Sequence, residues 1–261
     1  MKILGRFYRL NFIHFNLTGT KITCADKLWA IAHMVNNEEN LDIAVEAGAN
    51  GLEMDLNFDE SGNPTILFHP TLCDCICHSN ANMPDMCRFP VCGHTRPAET
   101  VMKYFMSHEK MEQVAMLYVD SKLNGVPDNK IKQAGTNVVK FYEKTVLSRG
   151  YSGIIFISGN NKEYLRSSAA EANHSTFKSQ IFIGVDSSSG FTDGLKFVAD
   201  MEYPNKILST GITVCDPIKI GYAKNVVLGS VNKGRGVISD TIIWTLEEGH
   251  MENFHCNAFF F

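Results

Sequence analysis

Five short segments carry residues that could do chemistry together. In GLEMDLNF, residues 51–58, Glu53 and Asp55 stand two apart. Successive strand side chains alternate faces, so an extended segment puts both carboxylates on one face and Leu52, Met54 and Leu56 on the other. Two carboxylates on one face repel each other unless water, a proton or a cation separates them. Taken alone, the pair fits a half-buried strand with a solvated outer face. A third carboxylate, Asp120 in LYVDSK, shifts the balance. Three carboxylates suit Mg2+ or another hard cation, which keeps several waters and takes its last ligands from a phosphate. His33 and His69 could then act as acid and base around that phosphate. Lys122 and Trp244 also close strand-like runs. Each residue has an ordinary reading: His33 as a core histidine, Asp120 as a helix cap, Lys122 as a solvated charge, Trp244 as core filling. Their common placement at strand ends favours a site.

Such a site needs a scaffold that brings strand ends together. Seven apolar runs read as strands: LWAIAHM, GLEMDLNF, VAMLYVDSKL, SGIIFIS, SQIFIGVD, KILSTGITV and DTIIWTL. Segments with helical spacing lie between most of them. NEENLDIAVEAGA puts Leu41, Ala44, Val45 and Gly48 on one stripe, and residues 128–150 do likewise with Ile131, Val138, Val139, Tyr142 and Val146. This alternation predicts an α/β fold with a parallel sheet. Seven strands approach the eight of a (β/α)8 TIM-type barrel, whose catalytic residues sit at the C-terminal strand ends. An open doubly wound sheet is the competitor, but no Gly-rich phosphate loop follows any strand.

Composition narrows the function classes. The 261 residues are 44% hydrophobic and 20% charged, enough for one large domain or two small ones. A net charge of −4 leaves no nucleic-acid footprint, and no apolar run reaches the length of a transmembrane segment. Residues 1–27 read as an N-terminal extension, a degenerate or absent signal peptide, because Arg6, Arg9, Asn11 and His14 interrupt its apolar stretch. Residues 28–248 are expected to form the barrel domain. Residues 249–261 form an irregular tail without helical or strand period, so the barrel is expected to lack its last strand and helix, with unpaired edges at Trp29 and Ile242. Eight cysteines lean toward an oxidising, secreted setting, and Asn16 and Asn173 head glycosylation triplets. Five cysteines crowd one loop: Cys73, Cys75, Cys77, Cys87 and Cys92. With His78 and His94 they could form a zinc cluster, but C-x-C is not the usual knuckle spacing, and disulfides fit better.

The motifs HMVNN at His33, GANGLEMDLNFDESGNPTILFH from Gly48, CDC at Cys73, VDSK at Asp120, STGITVC ending at Cys215 and IIWT at Trp244 occur in one order over most of the chain. In that order they resemble the sphingomyelinase D, or dermonecrotic-toxin phospholipase D, family of spider venoms and tick saliva, a variant of the glycerophosphodiester phosphodiesterase barrel. The resemblance implies a secreted, Mg2+-dependent enzyme acting on choline phospholipids at membrane surfaces, sphingomyelin or lysophosphatidylcholine. It implies release of choline with formation of a cyclic phosphate. By the same resemblance His33 and His69 are the acid/base pair, and Glu53, Asp55 and Asp120 hold Mg2+. Lys122 and Trp244 meet the phosphate and choline ends, and Asp74 supports the catalytic loop. Cation–π attraction suits an aromatic to a quaternary ammonium. A family tyrosine just before the tryptophan falls on Ile242.

An ordinary glycerophosphodiester phosphodiesterase is the nearest alternative, but it reads His-Arg-Gly where this chain has His33-Met34-Val35. The alternative of another class is a truncated, non-catalytic secreted lipid-binding protein. The resemblance also pairs Cys75 with Cys215 and leaves Cys73 to one of Cys77, Cys87 or Cys92. A bridge closing so long a loop contributes roughly 3–5 kcal/mol in the chain-entropy model. Unreduced peptide mapping should recover Cys75 and Cys215 in one linked fragment; two free thiols would overturn the pairing.

Overall fold

A computed structural model describes residues 8–11, 28–69, 95–186, 191–211, 228 and 231–244. Its strands are β1 (Tyr8–Asn11), β2 (Leu28–Ala32), β3 (Gly51–Phe58), β4 (Pro64–Leu67), β5 (Arg96–Pro97), β6 (Met116–Lys122), β7 (Ile154–Gly159), β8 (Ile181–Asp186), β9 (Lys206–Gly211) and β10 (Asp240–Trp244). Its main helices are α1 (Glu38–Glu46), α2 (Ala98–Ser107), α3 (Ile131–Thr145), α4 (Lys162–His174) and α5 (Phe191–Asp200). The seven strands β2, β3, β6, β7, β8, β9 and β10 run parallel, each beside the next. This is the expected (β/α)8-type α/β architecture, and all seven apolar runs become strands.

Side-chain alternation splits the core in two. One face of the sheet carries Ile31, Met116, Tyr118, Phe156, Ile207 and Ile242, packed together with Ile154 and Phe182 as an inner core. The other face presents Leu52, Met54, Leu56, Leu117, Val119, Ile155 and Ile157 to the helices in a larger outer core. The helices meet it with Leu41, Ala44 and Val45 of α1, Val101, Met102 and Phe105 of α2, and Val138, Val139 and Tyr142 of α3. The stripes expected on α1 and α3 hold, except that Gly48 lies past α1 in the left-handed region, φ +90°. Asn37 caps α1 by accepting from the Asn40 N–H at 2.8 Å, and Glu38 and Glu39 suit the positive N-terminal end of the helix.

Two features of the sheet were not expected. PTIL forms β4, antiparallel to β3, with Leu56 opposite Leu67. The edge at Trp29 is not bare: β1 pairs antiparallel with β2, placing Tyr8 opposite Ile31 and Leu10 opposite Trp29. β1 also lies against β10, so the sheet curls until its outer members meet, although no hydrogen-bond ladder joins those two strands. A segment read from sequence as an extension therefore supplies a strand, because an edge with free N–H and C=O groups is a ready template for pairing. No described helix is long and apolar enough to cross a membrane.

Deleting residues 1–11 removes β1 and should lower the melting temperature by about 3 °C or more, since each lost kcal/mol shifts it by about 2–4 °C at this size. An unchanged melt would show that β1 adds nothing to the barrel.

Candidate active site and metal centre

The C-terminal half of the sheet turns the inner face polar. In the ladder of β3 and β6, Glu53 stands opposite Tyr118, Asp55 opposite Asp120 and Asn57 opposite Lys122. Parallel register puts opposed residues on the same face, so Asp55 and Asp120 form one level and Glu53 lies one level deeper. One oxygen from each of Glu53, Asp55 and Asp120 falls within 4.8 Å of the others. Glu53 is 5% exposed and Asp55 1%, while Asp120 is half-buried. Two buried carboxylates in one group are costly unless partners neutralise them.

The loop between β2 and α1 supplies the first partners. Met34 adopts a left-handed φ of +58°, uncommon for a residue other than glycine, and such backbone clusters at functional sites. That turn aims its N–H at Glu53 Oε2, 2.7 Å away, and the next N–H, of Val35, donates to the Glu53 carbonyl at 2.8 Å. Asn36 then makes a reciprocal pair with Asp55. Its Nδ2 donates to Asp55 Oδ2 at 2.7 Å, and its Oδ1 accepts from the Asp55 N–H at 2.9 Å. The same loop places His33, just beyond the end of β2, with Nε2 3.7 Å from Glu53 Oε2.

Lys122 and the β3–β4 pair complete the surround. Lys122 Nζ lies 3.0 Å from Asp55 Oδ1 and also donates to Asp120 Oδ2. The ammonium is close to Asp55 Oδ1 but not directed as a hydrogen bond, so that buried oxygen has charge beside it and no donor aimed at it. His69 follows β4, where the Phe68 N–H donates to the Asp55 carbonyl at 3.0 Å and the Phe68 carbonyl accepts from Asn57 Nδ2 at 2.6 Å. These bonds bring the backbone before His69 to the level of Asp55.

The charges respond to this crowding. Burial, and then the negative charges of Asp55 and Asp120, raise the Glu53 carboxyl well above the usual carboxylate range, while Lys122 and the Met34 N–H pull it partly back. Burial alone would lower the Lys122 ammonium, but Asp120 and Asp55 outweigh it and hold its pKa above the ordinary lysine value. Tyr118 continues the polar network inward: its hydroxyl donates to Asp186 Oδ2 at 3.2 Å and shares a 2.8 Å hydrogen bond with Ser209 Oγ. Burial, then Asp186 and Asp120, push its pKa well up.

The donor set fits a small divalent cation. The three candidate ligands are all carboxylate oxygens, the choice of hard cations, and Asp55 Oδ1 is buried with no hydrogen-bond donor aimed at it. When all four side chains are ionised, three carboxylates and one ammonium leave two negative charges, the charge such an ion supplies.

The structure thus brings together Glu53, Asp55, Asp120, Lys122 and His33, with His69 at the end of β4. Trp244 closes β10 opposite Gly211 in the ladder with β9; its side chain lies outside the described residues. Asp74, Cys73, Cys75, Cys77, Cys87, Cys92 and Cys215, with the zinc alternative, also lie outside them. Sequence reasoning missed Asn36, the Met34 N–H and Tyr118. The NN of HMVNN was the available signal for Asn36. A backbone donor made by one φ angle leaves none.

The sequence profile described as Dermonecrotic toxin SPH matches residues 25–218. Dermonecrotic toxin LiSicTox-alphaII1 of Loxosceles intermedia is 25% identical over 233 residues, 85% of this chain and 73% of its own. Dermonecrotic toxin LruSicTox-alphaIC1c of Loxosceles rufescens is 28% identical over 241 residues, 84% of this chain and 81% of its own. Among solved structures, a protein of Silicibacter pomeroyi DSS-3 assigned as a glycerophosphoryl diester phosphodiesterase superposes with a TM-score of 0.54 at 12% identity. That match covers 82% of this chain and 78% of the other, and at such identity it speaks for the fold alone.

The raised Glu53 pKa has a signed consequence. The fold binds the Glu53 proton more tightly than the unfolded chain does. Its contribution to stability is therefore present below the ordinary carboxylate pKa and lost as pH rises through the folded value. In chelator, the parent should melt progressively lower across that window, while Glu53→Gln should melt higher than the parent at neutral pH. A variant no more stable than the parent at pH 7 would show that Glu53 carries no such strain.

Proposed function

The chain belongs to the dermonecrotic toxin SPH family, the phosphodiester-cleaving enzymes of phospholipase D type, and on that premise we propose that it is a secreted, Mg2+-dependent sphingomyelinase D. The observation that carries the reading is the convergence of Glu53, Asp55 and Asp120 within 4.8 Å, beside Lys122 and His33, at the C-terminal ends of the barrel strands.

Each residue then has a chemical task. Glu53, Asp55 and Asp120 would hold the cation, which when bound is a Lewis acid that neutralises charge developing on the phosphoryl oxygens. Lys122, kept charged by its two carboxylate neighbours, offers a second positive group to a phosphate oxygen. The substrate is a choline phospholipid at a membrane surface, sphingomyelin or lysophosphatidylcholine. Its own hydroxyl attacks phosphorus, the phosphorus–oxygen bond to choline breaks, and a cyclic phosphate forms. One of His33 and His69 takes the proton of the attacking hydroxyl, and the other gives a proton to the leaving choline oxygen. Trp244 would face the quaternary ammonium, which has no N–H to donate and is held by the face of an aromatic ring. Asp74 would steady the loop after His69, with the Cys75–Cys215 bridge pinning it.

Release of choline from sphingomyelin, lysophosphatidylcholine and glycerophosphocholine separates this reading from its rivals. Preference for glycerophosphocholine would favour the glycerophosphodiester phosphodiesterase, and binding to choline-lipid vesicles without turnover would favour the lipid-binding protein. His33→Ala and His69→Ala should each reduce turnover by about 10²–10⁴-fold, the usual worth of acid–base help, with direct Mg2+ binding retained. A loss under tenfold would remove that histidine from the mechanism.

A further inference from the structure

Resting on that reading of the metal centre, we infer that Asn36 is a positioning residue that makes Asp55 a one-oxygen ligand and so sets the choice of cation. Asn36 is 4% exposed and both functions of its side-chain amide go to Asp55, at 2.7 and 2.9 Å. The bond through its carbonyl holds the amide plane to the β3 backbone, and the bond through its Nδ2 then occupies Asp55 Oδ2. What remains is Oδ1, buried, without a directed donor, and 3.0 Å from the Lys122 ammonium that also binds Asp120.

Denticity decides between cations that charge alone cannot separate. Mg2+ demands near-octahedral coordination at about 2.0–2.1 Å and is served by carboxylates giving one oxygen each, with waters filling the rest. Ca2+ takes about 6–8 oxygens at longer range and gains from carboxylates that give both. A carboxylate oxygen already bound to an amide N–H has one lone pair committed and gives a cation less, so Asn36 raises the cost of the two-oxygen calcium geometry. Glu53 is treated alike, since its Oε2 is bound to the Met34 N–H at 2.7 Å. The Met34 bond is a backbone contact that a side-chain substitution leaves in place, so Asn36 is the member that can be tested separately.

The test titrates Mg2+, Mn2+ and Ca2+ by calorimetry into the full chain and into Asn36→Ala and Asn36→Ser. Partners outside the ligand shell typically change metal affinity by about 10–100-fold. Mg2+ and Mn2+ should weaken within that range while Ca2+ changes by less than about threefold, so the preference for Mg2+ over Ca2+ falls at least several-fold. Parallel losses for both ions, or no loss, would overturn the inference and leave the metal centre standing. A parent that binds no divalent cation would instead remove the reading beneath it. Should both variants fail to fold, spin-echo counting of waters on Mn2+ bound to the parent decides the point. Three one-oxygen carboxylates leave about three positions for water on a six-coordinate ion, and one water or none would overturn the inference.

Discussion

The constraint on which the rest depends is the mutual repulsion of Glu53, Asp55 and Asp120, held together where little water reaches them. In bulk water like charges at such separations repel by about 1 kcal/mol, and by several times that near or inside a protein. The chain meets this cost locally. Lys122 stands between Asp55 and Asp120, the Met34 N–H binds Glu53, Asn36 binds Asp55, and Glu53 keeps its proton more tightly than usual. Such compensation maintains a group poised for a divalent cation. The same burial that raises Glu53 strengthens every charge that later acts there.

Geometry of this kind needs a rigid frame, and a parallel sheet provides it. A ladder fixes neighbouring strands to one residue of register, and a slip of one residue would turn every inner side chain outward. The pairing of Asp55 with Asp120 is thus held by the same bonds that place Leu56 and Val119 in the outer core. The inner core of Ile31, Met116, Tyr118, Phe156, Ile207 and Ile242 fills the barrel beneath the carboxylates. The site therefore has a packed floor, and its open side lies at the C-terminal strand ends. Ile242 is part of that floor.

Membership of the dermonecrotic toxin family and a fold shared with a phosphodiesterase barrel fit this division of labour. The scaffold holds a cation-ready acidic group, and the loops after the strands decide what reaches it. The loop after β2 shows how: five residues place His33, orient two acidic side chains and cap α1.

The architecture and most of the chemical inventory could be read from the residues alone. Two-residue alternation in GLEMDLNF is a local property, so the common face of Glu53 and Asp55 was legible, as were the seven strands and the stripes of α1 and α3. Placement near strand ends singled out Asp120, Lys122 and the two histidines, and the family motifs gave each a role. Only tertiary structure decided which carboxylate faces which, because the register of β3 against β6 is a pairing between segments more than sixty residues apart. It also decided that Tyr8–Asn11 is a strand, since its partner edge on β2 exists only once the sheet has formed. Asn36 and the Met34 N–H escaped for a related reason. An amide side chain and a backbone donor are common everywhere in a sequence, and they gain a role only when a left-handed turn at Met34 aims them at carboxylates on another strand.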